Sequence, residues 1–423
     1  MRNSILPLCG VACVAALMMV AQQGATEAPA GFTTPPLTQN PAAQITSNGL
    51  TEPPGDTFAA DQLQFERVHI PDDGLGPVFN ATSCAQCHQN SVTGAASQIT
   101  ELRVGHQDAN GNFVNPTVAI NGGAVTIAGR SIVNDRAICD QAQEHVPDTE
   151  TIQTRRAVLN TLGDGFVEAV PDETLLEIAA YQASQTGGKI QGEAIEVPIL
   201  ESPGATRIGR FGWKDQQPTV LSFAADAYLN EMGVTNRLRP HDVTSVCKVS
   251  MDPEDAPDNI GMANIDHFAQ FIRATMTPPR DTELASTADA IAGNQVFKSI
   301  GCNLCHVGIM LTAPVDTLIN GGTYIVTAAV GNQYIHPYGD FLLHDVGTGD
   351  GIVQAGPPDT ANKMRTAPLW GLHIKSRFMH DLNSLTLDDA IRRHKGEASD
   401  VVGRYATLSA TQQQQLLTFL RSL

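Results

Sequence analysis

A pentapeptide of the form Cys-x-x-Cys-His occurs twice, as Cys84-Ala85-Gln86-Cys87-His88 and as Cys302-Asn303-Leu304-Cys305-His306. It constrains the chain more than any other feature, because it is the attachment signature of a c-type haem. Two thiols at this spacing can add to the two vinyl groups of one porphyrin. The adjoining histidine then lies beneath the iron as its proximal ligand. A single copy also fits a thioredoxin-like thiol pair beside an unrelated histidine. Two copies among only eight cysteines favour two covalently bound haems. One is held by Cys84, Cys87 and His88, the other by Cys302, Cys305 and His306.

The N-terminus agrees with that chemistry. Met1-Arg2-Asn3 is a short positive start, Ile5 to Val20 is an apolar run, and small residues follow, with Gly24-Ala25 as the expected cleavage point. Residues 1–25 therefore read as a signal peptide. The run is too short to span a bilayer comfortably as an anchor, and Cys13 after Gly10-Val11-Ala12 makes a poor lipobox. Covalent haem attachment takes place outside the bacterial cytoplasm, so the expectation is an exported, periplasmic protein with no stable membrane span. Removing the leader takes Cys9 and Cys13, and the haems take four more, leaving Cys139 and Cys247. In an oxidising compartment that pair reads as a structural disulfide. The alternative, a redox-active dithiol, lacks the Cys-x-x-Cys spacing or helix start that lowers a thiol pKa. A net charge of −18 argues against a nucleic-acid face. It suits ordinary solubility or, alternatively, the docking of a basic redox partner.

The two motifs also organise the chain. A Pro- and Thr-rich arm over 26–56 is expected to be poorly ordered. A first cytochrome c-like haem domain follows over 57–198, then a connecting segment over 199–280 and a second cytochrome c-like domain over 281–423. Helical spacing of apolar residues marks Glu173 to Gln182 and Ala288 to Ser299. A last helix, Gln412 to Leu423, opens on the capping-box pattern Ser409-x-x-Gln412. Alternating valines and isoleucines between Leu102 and Val133, with Asn121-Gly122-Gly123, predict a small β-hairpin excursion, and Gly321 to Val330 reads as strand. The expected fold is mainly α, two cytochrome c-like haem domains with small β excursions.

Several stretches resemble the bacterial di-haem cytochrome c peroxidase superfamily, and more closely its di-haem oxidoreductase branch, labelled thiol oxidoreductases. They are Asp73-Gly74-Leu75-Gly76-Pro77 before Cys84, Gly165 to Asp172, Gly209 to Lys214, Phe341 to Gly347, Arg365 to Leu372 and Phe378-Met379-His380-Asp381. Together they span Phe65 to Ala398. The resemblance implies roles for particular residues. In the peroxidases a methionine after a Thr-Leu-x-x-Ala-Val-like stretch is the sixth ligand of the electron-transferring haem. Here Thr386 to Arg393 matches that stretch and His394 stands at the methionine position, so His306 and His394 are the implied axial pair of the second haem. The alternative for His394 is a helix-surface residue beside Lys395. Val104-Gly105-His106 resembles the segment carrying a displaceable distal histidine, which makes His106 a candidate ligand of the first haem. Leu229 to Gly233 resembles the segment carrying a distal glutamate, which makes Glu231 the implied acid–base group. Trp213 resembles the tryptophan between the haems, with core packing as its alternative, and His344 and His380 read as structural hydrogen-bonding groups. The peroxidases also carry calcium between their domains, but no carboxylate cluster with loop spacing establishes it here.

Electrons are then expected to enter at the C-terminal haem from a small redox protein or other donor and pass by way of Trp213. At the first haem they would reduce hydrogen peroxide or support oxidation of a small substrate. Two other classes compete: a di-haem electron-transfer cytochrome without peroxide chemistry, and a sensory haem protein. The thiol-oxidoreductase label gains no support from Cys139 and Cys247 themselves.

Overall fold

The computed structural model describes residues 24–32, 46–120, 126–127 and 130–423. Most of the expected leader and the Asn121-Gly122-Gly123 turn lie outside the described residues. The expected arm has ordered pieces: β1 (Thr26–Glu27) pairs in parallel with Gln333 and Tyr334, and Thr46 to Leu50 closes a turn in which the Leu50 amide donates to Thr46 Oγ1 at 2.8 Å. Backbone pairing with the second haem region holds what composition alone reads as loose.

Helix α1 (Phe58–Glu66) starts where Thr57 Oγ1 accepts from the Ala60 amide at 2.7 Å, satisfying one of the donors that a helix start leaves free. The first Cys-x-x-Cys forms one short helix, α2 (Cys84–Cys87), capped by Ser83. Next comes β2 (Thr100–Gln107), which pairs antiparallel with β3 (Phe113–Val114), β4 (Ile132–Val133) and β5 (Ile152–Ala157). The β excursion is thus a four-stranded sheet rather than a single hairpin. Helices α3 (Asp164–Glu168), α4 (Asp172–Thr186), α5 (Val220–Met232) and α6 (Asn264–Ala274) follow. Helices α1, α5 and α6 enclose one core through Phe58, Phe65, Tyr228, Met232, Phe268 and Phe271, side chains of which each contributes about 1.5–3 kcal/mol on full burial.

The C-terminal region begins with α7 (Ala288–Ile300), which ends at Gly301 with φ +96°. That left-handed residue stops the helix immediately before Cys302. Strands β6 (Met310–Leu311), β7 (Gln333–Ile335), β8 (Leu343–His344) and β9 (Met364–Arg365) form two small sheets with β1, and α8 (Leu387–Arg393), α9 (Ser399–Ala406) and α10 (Ala410–Arg421) complete the chain. The capping box forms: Ser409 Oγ accepts from the Gln412 amide at 3.3 Å and Gln412 Oε1 from the Ser409 amide at 3.0 Å. Helix α10 then packs Phe419 and Leu420 against Val296, Phe297 and Ile300 of α7.

One expectation changes. Gly321 to Val330 is not one strand: Leu318–Ile319 and Tyr324–Ile325 pair as a tiny hairpin, and both the Val330 and Gly331 amides turn back to the Thr327 carbonyl. Gly321, at φ +63°, bends the chain where alternation alone suggests continuity. Packing is continuous over 198/199 and 280/281. One core joins Phe166, Val170, Phe211, Ala269, Phe341 and Trp370 across both. Helix is the larger regular component, but strands of two or three residues interrupt it throughout. Cys139 and Cys247 are bonded, with Cα atoms 6.5 Å apart and a separation of 108 in sequence.

Candidate functional site

Two cavities lie beside the two Cys-x-x-Cys-His segments. One, of about 180 Å³, is lined by Cys84, Cys87 and His88. The other, of about 580 Å³, is lined by Cys302, Cys305, His306 and His394. Trp213 and Ala157 to Leu159 line both. The Trp213 indole N–H donates to the Ala157 carbonyl at 2.8 Å, and its ring meets His380 edge-on with centroids 6.0 Å apart. The backbone is pinned as well: the Trp213 carbonyl accepts from the Arg365 amide at 2.9 Å. Its neighbour Lys214, fully buried, donates to the carbonyls of Thr360, Ala361 and Lys363. A rigid indole therefore forms part of the wall shared by the cavities.

In each motif one helical turn puts both sulfurs on the same side, since residues three apart share a helix face. None of the four cysteines is paired in a disulfide. Burial pushes Cys84 and Cys302 up to about 12, and Cys87 to about 11. A thioredoxin-like pair requires the opposite shift, towards thiolate near neutral pH. Paired thiols in an apolar wall beside an imidazole fit a porphyrin edge better than a dithiol reductant.

At the second cavity both imidazoles are oriented by backbone. His306 Nδ1 bonds the Tyr338 carbonyl at 3.0 Å and His394 Nδ1 bonds the Ala390 carbonyl at 2.8 Å. Each bond fixes the tautomer with its proton on Nδ1, leaving Nε2 as a free lone pair. Burial, followed by the neighbouring His394, lowers His306 to about 4, and burial also lowers His394. The ring centroids stand 6.5 Å apart. Metal–imidazole bonds of about 2.0–2.1 Å to an intervening ion separate two ring centroids by roughly 6 Å. The pair therefore fits a haem iron between them. His344 lies beside Cys305, with Sγ 3.8 Å from Nδ1, and its ring bridges Asp340 at 2.9 Å and Glu397 at 2.8 Å. Burial alone lowers an imidazole, but Asp340 outweighs it and holds His344 well above its ordinary value.

At the first cavity the histidine is His88, lowered to about 4 by burial. Helix α5 carries Glu231 into the wall and stops at Gly233 (φ +72°), where a Cβ would sit 2.6 Å from the Val78 carbonyl oxygen. Asn80 Nδ2 donates to Glu231 Oε2 at 2.7 Å. Strand β2 adds Glu101 and Arg103, which pair through Nε–Oε1 at 2.8 Å and Nη2–Oε2 at 3.0 Å. Burial alone raises Glu101, but Arg103 outweighs it and holds that carboxylate low. Burial and then the adjacent Glu101 charge push Glu231 up. The two carboxyls are thus pushed in opposite directions, Glu101 towards its ionised form and Glu231 towards its protonated one. Period-two alternation on β2 exposes 101 and 103 to the cavity, while Leu102 and Val104 pack into a separate small core with Val118 and Val133.

The same alternation puts His106 on the face of Leu102 and Val104. It does not line the cavity; its Nδ1 pairs with Glu150 at 2.8 Å. Among the described residues lining the first cavity, His88 is the only imidazole. Sequence reasoning missed Glu101 and Arg103, although the alternation in Thr100-Glu101-Leu102-Arg103-Val104 was the available signal.

A family model described as "Di-haem oxidoreductase, putative peroxidase" matches residues 138–423, more than half of the chain. The chain belongs to that family. The match begins after Cys84–His88, so the first haem site rests on its own motif and cavity. As a member of the di-haem oxidoreductase family, the protein is a redox enzyme of two haems. Among solved structures, Kuenenia stuttgartiensis hydrazine synthase pressurised with xenon is 14% identical over 100% of both chains, with a TM-score of 0.38. A MauG-like protein associated with microbial copper homeostasis is 18% identical over 38% of this chain and 52% of its own, with a TM-score of 0.25. Likenesses this loose carry no argument for the di-haem oxidoreductase. No curated protein matches it.

Proposed function

We propose that this chain is an exported, periplasmic di-haem oxidoreductase with peroxidase-like activity, its haems attached through Cys84/Cys87 and Cys302/Cys305. The asymmetry of the two cavities carries the reading. His306 and His394, with ring centroids 6.5 Å apart, would together hold the iron of one haem, which suits electron transfer. The cavity that holds His88 is also lined by Glu231 and Glu101 and, among the described residues, by no second imidazole, which suits chemistry at an open face. The bound haems supply the redox equivalents. The chain supplies proton handling: a Glu231–Glu101 pair with one proton between them can accept a proton from hydrogen peroxide and return it to the departing oxygen. Arg103 keeps Glu101 ionised, and Asn80 Nδ2 orients Glu231 Oε2. Trp213 is proposed to carry electrons across the shared wall.

The test is peroxide-dependent oxidation of a reduced small redox protein by the purified holoenzyme. Turnover is the expected result; its absence in both the oxidised and half-reduced forms leaves an electron carrier. Trp213→Phe is expected to slow donor oxidation while both haem absorption spectra stay unchanged. A wild-type rate in that variant would remove the indole from the electron route.

A further inference from the structure

The sharpest unexplained feature of the fold lies outside both cavities, where the start of α1 meets α6. Glu52, Asp56 and Asp61 are buried there, at 7%, 1% and 0% exposure, around the 4% exposed His267. His267 Nδ1 stands 2.7 Å from Asp61 Oδ1 and 3.7 Å from Asp56 Oδ1. Asp56, Asp61 and His267 each present one donor atom within 4.8 Å of the others. One oxygen on each carboxylate, Glu52 Oε1, Asp56 Oδ2 and Asp61 Oδ2, is buried without a hydrogen-bond partner. Among the described residues no lysine or arginine forms an ion pair with any of the three; His267 is their one basic contact.

Buried carboxylates are costly unless paired or bound to a metal. Three of them, each with an orphaned oxygen, against one imidazole leave buried donor atoms without a partner. We propose that Asp56, Asp61 and His267, with Glu52 as a further donor, bind a divalent transition-metal ion of the zinc type. The donor set selects the class: an imidazole nitrogen among carboxylates suits Zn²⁺, whereas Ca²⁺ and Mg²⁺ take oxygen ligands. The outer partner is present as well. With Nδ1 turned to the carboxylates, His267 Nε2 lies 3.3 Å from Asp258 Oδ2, the arrangement in which a carboxylate orients a metal-bound histidine. Asp258 is 40% exposed and opens a route from solvent. The ion ties α1 to α6, the helices on which Phe65 meets Phe268 edge-on and Phe271 at a tilt, and whose Phe65 meets His88 with ring centroids 6.0 Å apart. It therefore braces the wall of the first haem cavity.

The test is elemental analysis of the holoprotein for non-haem metal. Chelator dialysis and titration with Zn²⁺, Mn²⁺ or Ca²⁺ follow, each with a thermal unfolding scan. The expected result is one tightly bound Zn²⁺ per chain, whose removal lowers the unfolding midpoint and whose return restores it. Asp258→Asn, at an exposed position, is expected to weaken Zn²⁺ binding by about 10–100-fold, and Asp61→Asn to abolish it. Three results would each overturn the proposal: no divalent ion retained or rebound, a response to Ca²⁺ alone, or full Zn²⁺ stoichiometry in both variants.

Discussion

Glu231→Gln is expected to lower peroxide turnover by about 10²–10⁴-fold, the range for loss of a positioned acid–base group, with both haems still attached. Gln preserves the side chain's length and still accepts from Asn80 Nδ2, so α5 and its Gly233 stop stay in place. Only the exchangeable proton disappears. The pH profile separates this role from a packing one. The pair holds its single proton above the depressed Glu101 value and below the raised Glu231 value. Activity is therefore expected to decline as pH rises through the Glu231 value, when that proton is lost. In Glu231→Gln this alkaline limb is expected to vanish together with the rate. Turnover within a few fold of wild type, with the limb intact, would remove Glu231 from the chemistry.

The second large effect falls on stability. Glu168 is fully buried on α3, where its carboxylate takes two bonds from Arg273, at 2.6 and 2.9 Å, one from the Val220 amide at 2.9 Å and one from Asn320 Nδ2 at 2.9 Å. Helices α3, α5 and α6 and the C-terminal region thus meet at one side chain. Glu168→Ala leaves the Arg273 guanidinium buried without its partner and is expected to cost about 3–5 kcal/mol, read as a lower denaturant midpoint. Burial alone raises this carboxyl, but Arg273 and the hydrogen bonds outweigh it and hold the folded value low. A depressed folded pKa gives stability that is full above the unfolded value, about 4.3, and lost as pH falls through the folded one. Acid unfolding below that range is therefore expected to have a component that Glu168→Gln removes. An unchanged acid limb in that variant would contradict the assignment.

What could be read from residues alone was what local rules govern. The twin pentapeptides, the helix over Asp172–Thr186, the Ser409–Gln412 capping box and the leftover pair Cys139 and Cys247 each depend on spacing or composition. His394 was reachable through a resemblance, and its ring lies with its centroid 6.5 Å from that of His306. A motif match such as that of His106 does not say which face of a strand a side chain takes. Its alternation with Leu102 and Val104 does. Glu101 and Arg103 escaped notice because alternating charges on a strand look like a solvent face until a cavity is found against them. The Asp56–Asp61–His267 cluster was out of reach for a different reason: His267 lies 206 positions from Asp61, and only the packing of α1 on α6 brings them together. Lys214 is similar, since its acceptors are carbonyls near residue 360 rather than any patterned side chain.

The central claim is that one haem is clamped by His306 and His394 while the other, above His88, is open. Electron paramagnetic resonance of the ferric holoenzyme, beside that of His394→Ala, tests it most directly. The expected result is one low-spin and one high-spin signal in the wild type, with the low-spin signal lost in the variant and the high-spin one consumed by peroxide. Two low-spin, peroxide-inert signals, or a low-spin signal that survives in His394→Ala, would contradict it.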